Sequence, residues 1–331
     1  MGGKIVMISN FSEVEKSLKR CLKEKVSITA ATVVGFLIAG TVAFGEVEPT
    51  NVEFKTENNK GESKVTVIIN TDTTDIEGAT NSISVADYEK LTTVGGKLAG
   101  LLTVETVDGV TTFASAVNEE GEATLGTVKA TGTNNGALTL IKTDEKYTSI
   151  TSKLTIEASG TSDNEGTAME AANSGDKVTN AGTITVKDYA VGMVAGAGAT
   201  AVNSAEGTIT VNSDTNAVGM SATTATGSTT TLTNDGTITV TKGTGISVTG
   251  DGEAEVAAGE IEVADAGGNI GINIAGTGTT TVNGANITLA GAGTGINAGG
   301  NVTLKDIAIT LSDETAGTGI KYDGGEKEAK A

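Results

Sequence analysis

Through the second half of the chain, apolar and polar residues alternate in short runs, and the same kind of run returns about every two dozen positions. The runs read NAGTITV (180–186), EGTITV (206–211), NDGTITV (234–240), AGEIEV (258–263), GANITL (284–289) and KDIAITL (305–311). A period of two marks a strand with one buried face. Ile184 and Val186, Ile209 and Val211, and Ile238 and Val240 are therefore predicted to point inward. Thr183, Thr185, Thr208, Thr210, Thr237 and Thr239 are predicted to point outward. A shorter apolar piece precedes several runs: KVTN (177–180), AVN (201–203), TLTN (231–234) and TVN (281–283). The Asn and Gly residues that follow read as turn formers, because both tolerate the left-handed backbone region. A third element is a Gly followed by Met or Ile, at Gly192, Gly219, Gly245, Gly271, Gly295 and Gly319, with spacings of 27, 26, 26, 24 and 24 residues. A weaker copy, Gly166-Thr-Ala-Met169, lies 24 residues upstream.

Three short strands and three turns per repeat predict an all-β fold: a right-handed parallel β-helix, three-sided, with about 24–27 residues per coil, preceded by a helical signal segment. One coil holds too little core to be stable alone, but stacked coils bury their Ile and Val rows against one another. About seven coils are expected between residues 160 and 322, rising about 4.8 Å each for a total of roughly 30 Å. An antiparallel sandwich and a disordered Gly/Thr/Asn-rich linker are the rival readings. A fixed period that returns the same strand type favours coils over hairpins. Four segments follow: an extended signal peptide (1–45), an irregular N-terminal β-helix or cap region (46–159), regular coils (160–323) and a polar tail (324–331). Within the second, KVTVII (64–69), ALTLI (137–141) and KLTIEA (153–158) read as strands, and Asp87 to Leu102 as a short amphipathic helix.

Composition supports many small layers rather than one large core. The 331 residues include 46 Gly, one Pro, no Trp and only 3% aromatics, so Val, Ile, Ala and Thr must do the packing. The net charge of −19 is unevenly spread: residues 1–45 hold six basic and three acidic groups, which leaves −22 on residues 46–331. That sign repels phosphate backbones and anionic lipid, so nucleic acid is not an expected partner.

Residues 1–25 are polar and basic, and Val26 to Phe44 form an uncharged apolar stretch of 19 residues. Ala43 and Gly45 then supply small residues at the −3 and −1 positions of a cleavage site before Glu46, the plan of a secretory signal. The same stretch also nearly suffices to span a bilayer as an anchor; cleavage after Gly45 would leave the mature chain without a span. The only cysteine, Cys21, lies in this leader, so the mature product has no disulfide to form. From Met7 to Lys25 the chain carries an Asn-Phe pair, a Glu-Lys-x-Leu-Lys-Arg run and a basic stretch leading into the apolar core. In these elements it resembles the extended signal segment of fusobacterial autotransporter-type surface proteins. The likeness covers about the first 45 residues by motif, and the rest by its Gly/Thr/Asn-rich style. It implies an outer-membrane secretion route and a surface-exposed, usually adhesive passenger. Secretion machinery and receptors on host or neighbouring cells would be its partners. Proteins of this kind normally finish with a translocating β-barrel. GGEKEAKA supplies no such strands, so a truncated passenger or a stand-alone relative is expected, with a fragment of no independent role as the rival.

Candidate chemistry is thin. No His occurs anywhere and no Cys after residue 45, so zinc sites built on those ligands, Cys nucleophiles and Ser-His-Asp triads are excluded from the mature chain. No Arg follows Arg20 to serve as the base that β-helical lyases generally use. A glycosidase needs two carboxylates at suitable separation; Asp251 with Glu253 and Glu255, or Glu260 with Glu262, are the nominees, read otherwise as a solvated acidic strand face. GTGI (243–246) and GAGTG (291–295) lack the Lys-Ser/Thr of a phosphate loop. GDGE (250–253) is a single, out-of-register approach to a calcium nonapeptide. The Thr-x-Thr rows resemble those of ice-binding β-helices, with strand propensity as the plainer account. No cofactor and no catalysis are expected. The rival function is a carbohydrate-active β-helix enzyme.

Overall fold

The computed structural model describes residues 52–59, 62–70, 85–92, 98–117, 123, 125–131, 138–213, 215–264, 267–312 and 317–323. The leader 1–45, with Ala43 and Gly45, and the tail 324–331 lie outside them. The described chain forms an all-β parallel solenoid of about seven turns.

Each coil contributes one strand to each of three faces. The first face stacks β4 (Val110–Ser115), β7 (Ser149–Ser152), β10 (Lys177–Asn180), β13 (Thr200–Asn203), β16 (Thr229–Asn234), the first half of β19 (Glu253–Val263), the first half of β21 (Thr279–Leu289), and β23 (Asn301–Lys305), all parallel. The second stacks β2 (Glu62–Asn70), β5 (Leu125–Thr131), β8 (Thr155–Ser159), β11 (Thr183–Val186), β14 (Thr208–Asn212), β17 (Thr237–Lys242), the second halves of β19 and β21, and β24 (Ala308–Leu311). The third stacks β6 (Leu138–Lys142), β9 (Gly166–Ala171), β12 (Ala190–Ala195), β15 (Val218–Thr224), β18 (Thr244–Gly250), β20 (Ile270–Ile274), β22 (Thr294–Ala298) and β25 (Thr318–Tyr322). In-register stacking thus begins upstream of residue 160, with β4 on β7, β5 on β8 and β6 on β9.

The predicted registers hold. Ile184 pairs with Ile209 and Ile209 with Ile238, all three fully buried. On the third face Met169, Met193, Met220, Ile246, Ile272 and Ile296 form one continuous buried column. The glycine is a steric requirement at Gly192, Gly219, Gly245, Gly271 and Gly295, whereas a Cβ at Gly319 would meet only Ile309 Cγ2 at 4.0 Å. A Cβ at Gly219 would lie 2.6 Å from the Gly245 carbonyl oxygen, and one at Gly245 2.7 Å from that of Gly271. Neighbouring coils pass too closely there for any side chain.

Two expectations are corrected. The helix, α1, covers Val85–Thr92, residues 93–97 lie outside the described residues, and the end of the expected helix is instead a turn at 98–101 followed by Leu102 opening β3 (Leu102–Val107). The turn asparagines Asn180, Asn203 and Asn234 are not among the residues with left-handed backbone, which include Asp108, Tyr189, Asn216 and Asp306. Their role lies in the side chain, because all three are buried and their amides hydrogen-bond from coil to coil. Asn180 Nδ2 donates to Asn203 Oδ1 at 2.8 Å, and Asn203 Nδ2 to Asn234 Oδ1 at 2.7 Å. Asn234 Nδ2 closes the ladder on the Ala258 and Glu260 carbonyls at 2.8 and 3.0 Å. A buried amide without partners would cost several kcal/mol; stacked, each one satisfies its neighbour.

The N-terminal end uses different rules. β1 (Val52–Asn59) pairs antiparallel with β2, and β3 pairs antiparallel with β4. The β3–β4 turn puts Asp108 and Gly109 at positive φ, as a two-residue hairpin requires. Helix α1 buries Val85 and Tyr88. The Tyr88 ring meets Phe113 edge-on at 5.1 Å, and its hydroxyl donates to the Leu140 carbonyl at 2.9 Å. Burial pushes the Tyr88 phenol well above its ordinary pKa, so it stays a donor.

Candidate interaction surface

Because side chains alternate along each strand, every inward Ile or Val leaves an outward neighbour, and stacking turns those neighbours into columns. On the second face Thr127, Thr155, Thr183, Thr208 and Thr237 fall in one register column. The sequence pattern located only the last three, since the strands at 127 and 155 lack the TITV signature. A parallel column runs Lys129, Glu157, Thr185, Thr210, Thr239, Glu262, Thr288, Thr310. On the first face Thr231 lies beside Glu255, then Thr281 and Thr303. In β19 and β21 a single 11-residue strand crosses from one face to the other. The first two faces merge there into one outward surface.

The nominated carboxylates lie in this surface. Glu253, Glu255, Glu260 and Glu262 all project outward from β19 and are exposed, so the glutamates of both nominated groups belong to one rung. Residues two apart on a strand are spaced by about 7 Å. The rung is tied to the coil below: Thr229 Oγ1 donates to Glu253 Oε2 at 3.1 Å and Thr239 Oγ1 to Glu262 Oε2 at 3.4 Å. Asp251 stands apart in the preceding turn, where it accepts from the Thr226 amide and hydroxyl at 3.1 and 3.0 Å. In the GDGE turn, therefore, the carboxylate closes a loop between coils. Among the described residues, no group of three His, Cys, Asp or Glu side chains is placed to hold a metal ion.

The clearest electrostatic arrangement is structural. Glu157 Oε1 meets Lys129 Nζ at 3.3 Å and Glu157 Oε2 meets Lys187 Nζ at 2.8 Å. Partial burial alone would push its carboxyl up, but the hydrogen bond and charge of Lys187, with those of Lys129, outweigh it and hold the group below the usual carboxylate range. Lys142 and Glu170 pair similarly on the third face at 2.9 Å.

What this surface offers is breadth and repetition: rows of hydroxyls at the coil spacing, crossed by one carboxylate rung. No family model, curated protein or solved structure matches the chain.

Proposed function

We propose that this chain is the exported, surface-exposed passenger of an autotransporter-type protein, with a structural or adhesive rather than catalytic role. The observation that supports this reading is the in-register stack itself. Each coil hydrogen-bonds along all three faces to its neighbours, and the outward rows form a broad Thr-rich surface. A solenoid with apolar rows inside and hydroxyl and carboxylate rows outside gives a rigid, soluble stalk. Its large acidic charge disfavours anionic lipid and nucleic acid and leaves protein or glycan receptors on host or neighbouring cells as partners. The basic n-region, apolar core and Ala43-x-Gly45 site would hand the chain to the secretion machinery.

Fractionation of the producing cell with N-terminal sequencing of the recovered protein tests the reading. The expected result is a chain beginning at Glu46, accessible to protease on intact cells. Uncleaved protein in the cytoplasm would overturn the export half. Unchanged attachment of a deletion strain to host and neighbouring cells would remove the adhesive role while leaving a structural one. A carbohydrate-active enzyme would instead release reducing ends from a polysaccharide panel, and Glu260→Gln or Glu253→Gln would abolish that release.

A further inference from the structure

The corner between the second and third faces carries a backbone anomaly. Among the described residues, four other than glycine have positive φ. Three of them, Asp108, Asn216 and Asp306, are of the types that tolerate it. The fourth is Tyr189, at φ 50°. Left-handed backbone is strained for so bulky a side chain. The next coil turns the same corner with Asn216 and the one after with Gly243, so the corner itself does not call for a tyrosine. Strain kept where a simpler residue would serve points to a role for the side chain.

Hydrogen bonds to the coils on both sides hold this corner in place. The Tyr189 amide donates to the Thr215 carbonyl at 3.0 Å, and the Gly160 amide donates to the Asp188 carbonyl at 2.6 Å. Asp188 is exposed, and its Oδ1 accepts from the buried Ser213 hydroxyl at 2.7 Å. That bond fixes the carboxylate and leaves Oδ2 without a partner among the described residues. The Asn216 side chain, one coil on, is also exposed. Tyr88, Phe113 and Tyr147 are buried, whereas Tyr189 keeps part of its surface open.

We propose that Tyr189, Asp188 and Asn216 form a carbohydrate-binding subsite for a neutral pyranose. A pyranose has an apolar C–H face that lies against an aromatic ring, and a rim of hydroxyls that needs acceptors and donors. The Tyr189 ring supplies the first, Asp188 Oδ2 accepts from hydroxyls, and the Asn216 amide both donates and accepts. The fixed carboxylate and the large acidic charge of the chain disfavour uronic and sialic acids, which leaves neutral sugars as the ligand class. With so few contacts a short sugar is held weakly, with a dissociation constant on the order of millimolar. The inference deepens the adhesive reading and rests on its surface-exposed half; it names a glycan rather than a protein as what this corner meets.

Saturation-transfer NMR of the full 331-residue chain with lactose, maltose and N,N′-diacetylchitobiose tests this, with N-acetylneuraminic acid as the acidic comparison. Transfer to at least one of the three neutral sugars is expected, and none to the acid. Tyr189→Asn removes the ring and suits the left-handed backbone, so it should abolish transfer while the thermal midpoint falls by no more than about 4 °C. Asn216→Gly, which keeps the backbone and removes the amide, should weaken binding at least about tenfold. Tyr322→Ala, at the other partly open tyrosine, should leave it unaltered. No transfer to any neutral sugar, a preference for the acid, binding that survives Tyr189→Asn, or a larger fall in its midpoint, which would make the ring a packing element, would each overturn the proposal. The purified chain is assayed in solution, so a null result removes the subsite and leaves export and the stalk to their own test.

Discussion

Replacing Asn203 by Ala tests how the coils hold together at their corner. Asn203 is fully buried, and its amide joins four neighbours: it accepts from Asn180 Nδ2 and donates to Asn234 Oδ1, to the Gly207 carbonyl at 3.3 Å and to the Thr237 carbonyl at 3.5 Å. Truncation removes all four bonds at once. Asn234 Oδ1 loses that donor and Asn180 Nδ2 keeps only its 3.3 Å bond to the Gly182 carbonyl. Each orphaned buried group costs about 1–3 kcal/mol, so the variant should lose about 3–5 kcal/mol. At about 2–4 °C per kcal/mol for a chain of this size, the midpoint should fall by roughly 6–20 °C. Thermal and urea unfolding followed by circular dichroism give both numbers. Asn283→Ala, on an exposed outward position of β21, serves as the control and should change stability by no more than about 0.5 kcal/mol. If Asn203→Ala behaves like Asn283→Ala, the amide ladder contributes nothing and the corner is held by backbone geometry alone.

Three further outcomes are expected. Ile209→Ala should cost about 2–5 kcal/mol, while Thr208→Ala, outward on the same strand, should cost under about 1 kcal/mol; equal effects would mean the inward and outward assignments are wrong. Gly245→Ala should destabilise by about 1–3 kcal/mol or more because its methyl meets the Gly271 carbonyl, whereas Gly267→Ala, with open space around it, should be close to neutral by the same melts. Glu157 has a folded pKa below its ordinary value of 4.5, so its stabilisation is present above about pH 4.5 and is lost as pH falls through the folded value. Urea titrations from pH 3 to 7 should therefore show a shallower acid loss in Glu157→Gln than in the wild-type chain.

Much of the solenoid was legible in the chain because a solenoid is nearly one-dimensional. Each coil touches only its neighbours, so spatial register is written as sequence period. Met193 to Met220 and Ile246 to Ile272 are contacts across one coil as well as repeats in the text. Inward Ile and outward Thr followed from alternation alone. The outward surface was half legible: TITV marked three rungs of the threonine column, but Thr127 and Thr155 joined it only once β5 and β8 were seen to stack.

Other features depend on neighbours that no local pattern names. A turn asparagine reads the same whether it bends the backbone or hydrogen-bonds to the coil above, and only stacking showed Asn180, Asn203 and Asn234 as a buried ladder. Four glutamates became one rung because β19 runs unbroken across a corner. The antiparallel hairpins and α1 belong to the N-terminal part of the solenoid, where the coil pattern gives way and periodicity carries no information. The chain by itself determined what recurs, since recurrence needs only the spacing of apolar residues. Tertiary structure decided the corners and the N-terminal hairpins, because there the energy depends on which groups meet across coils.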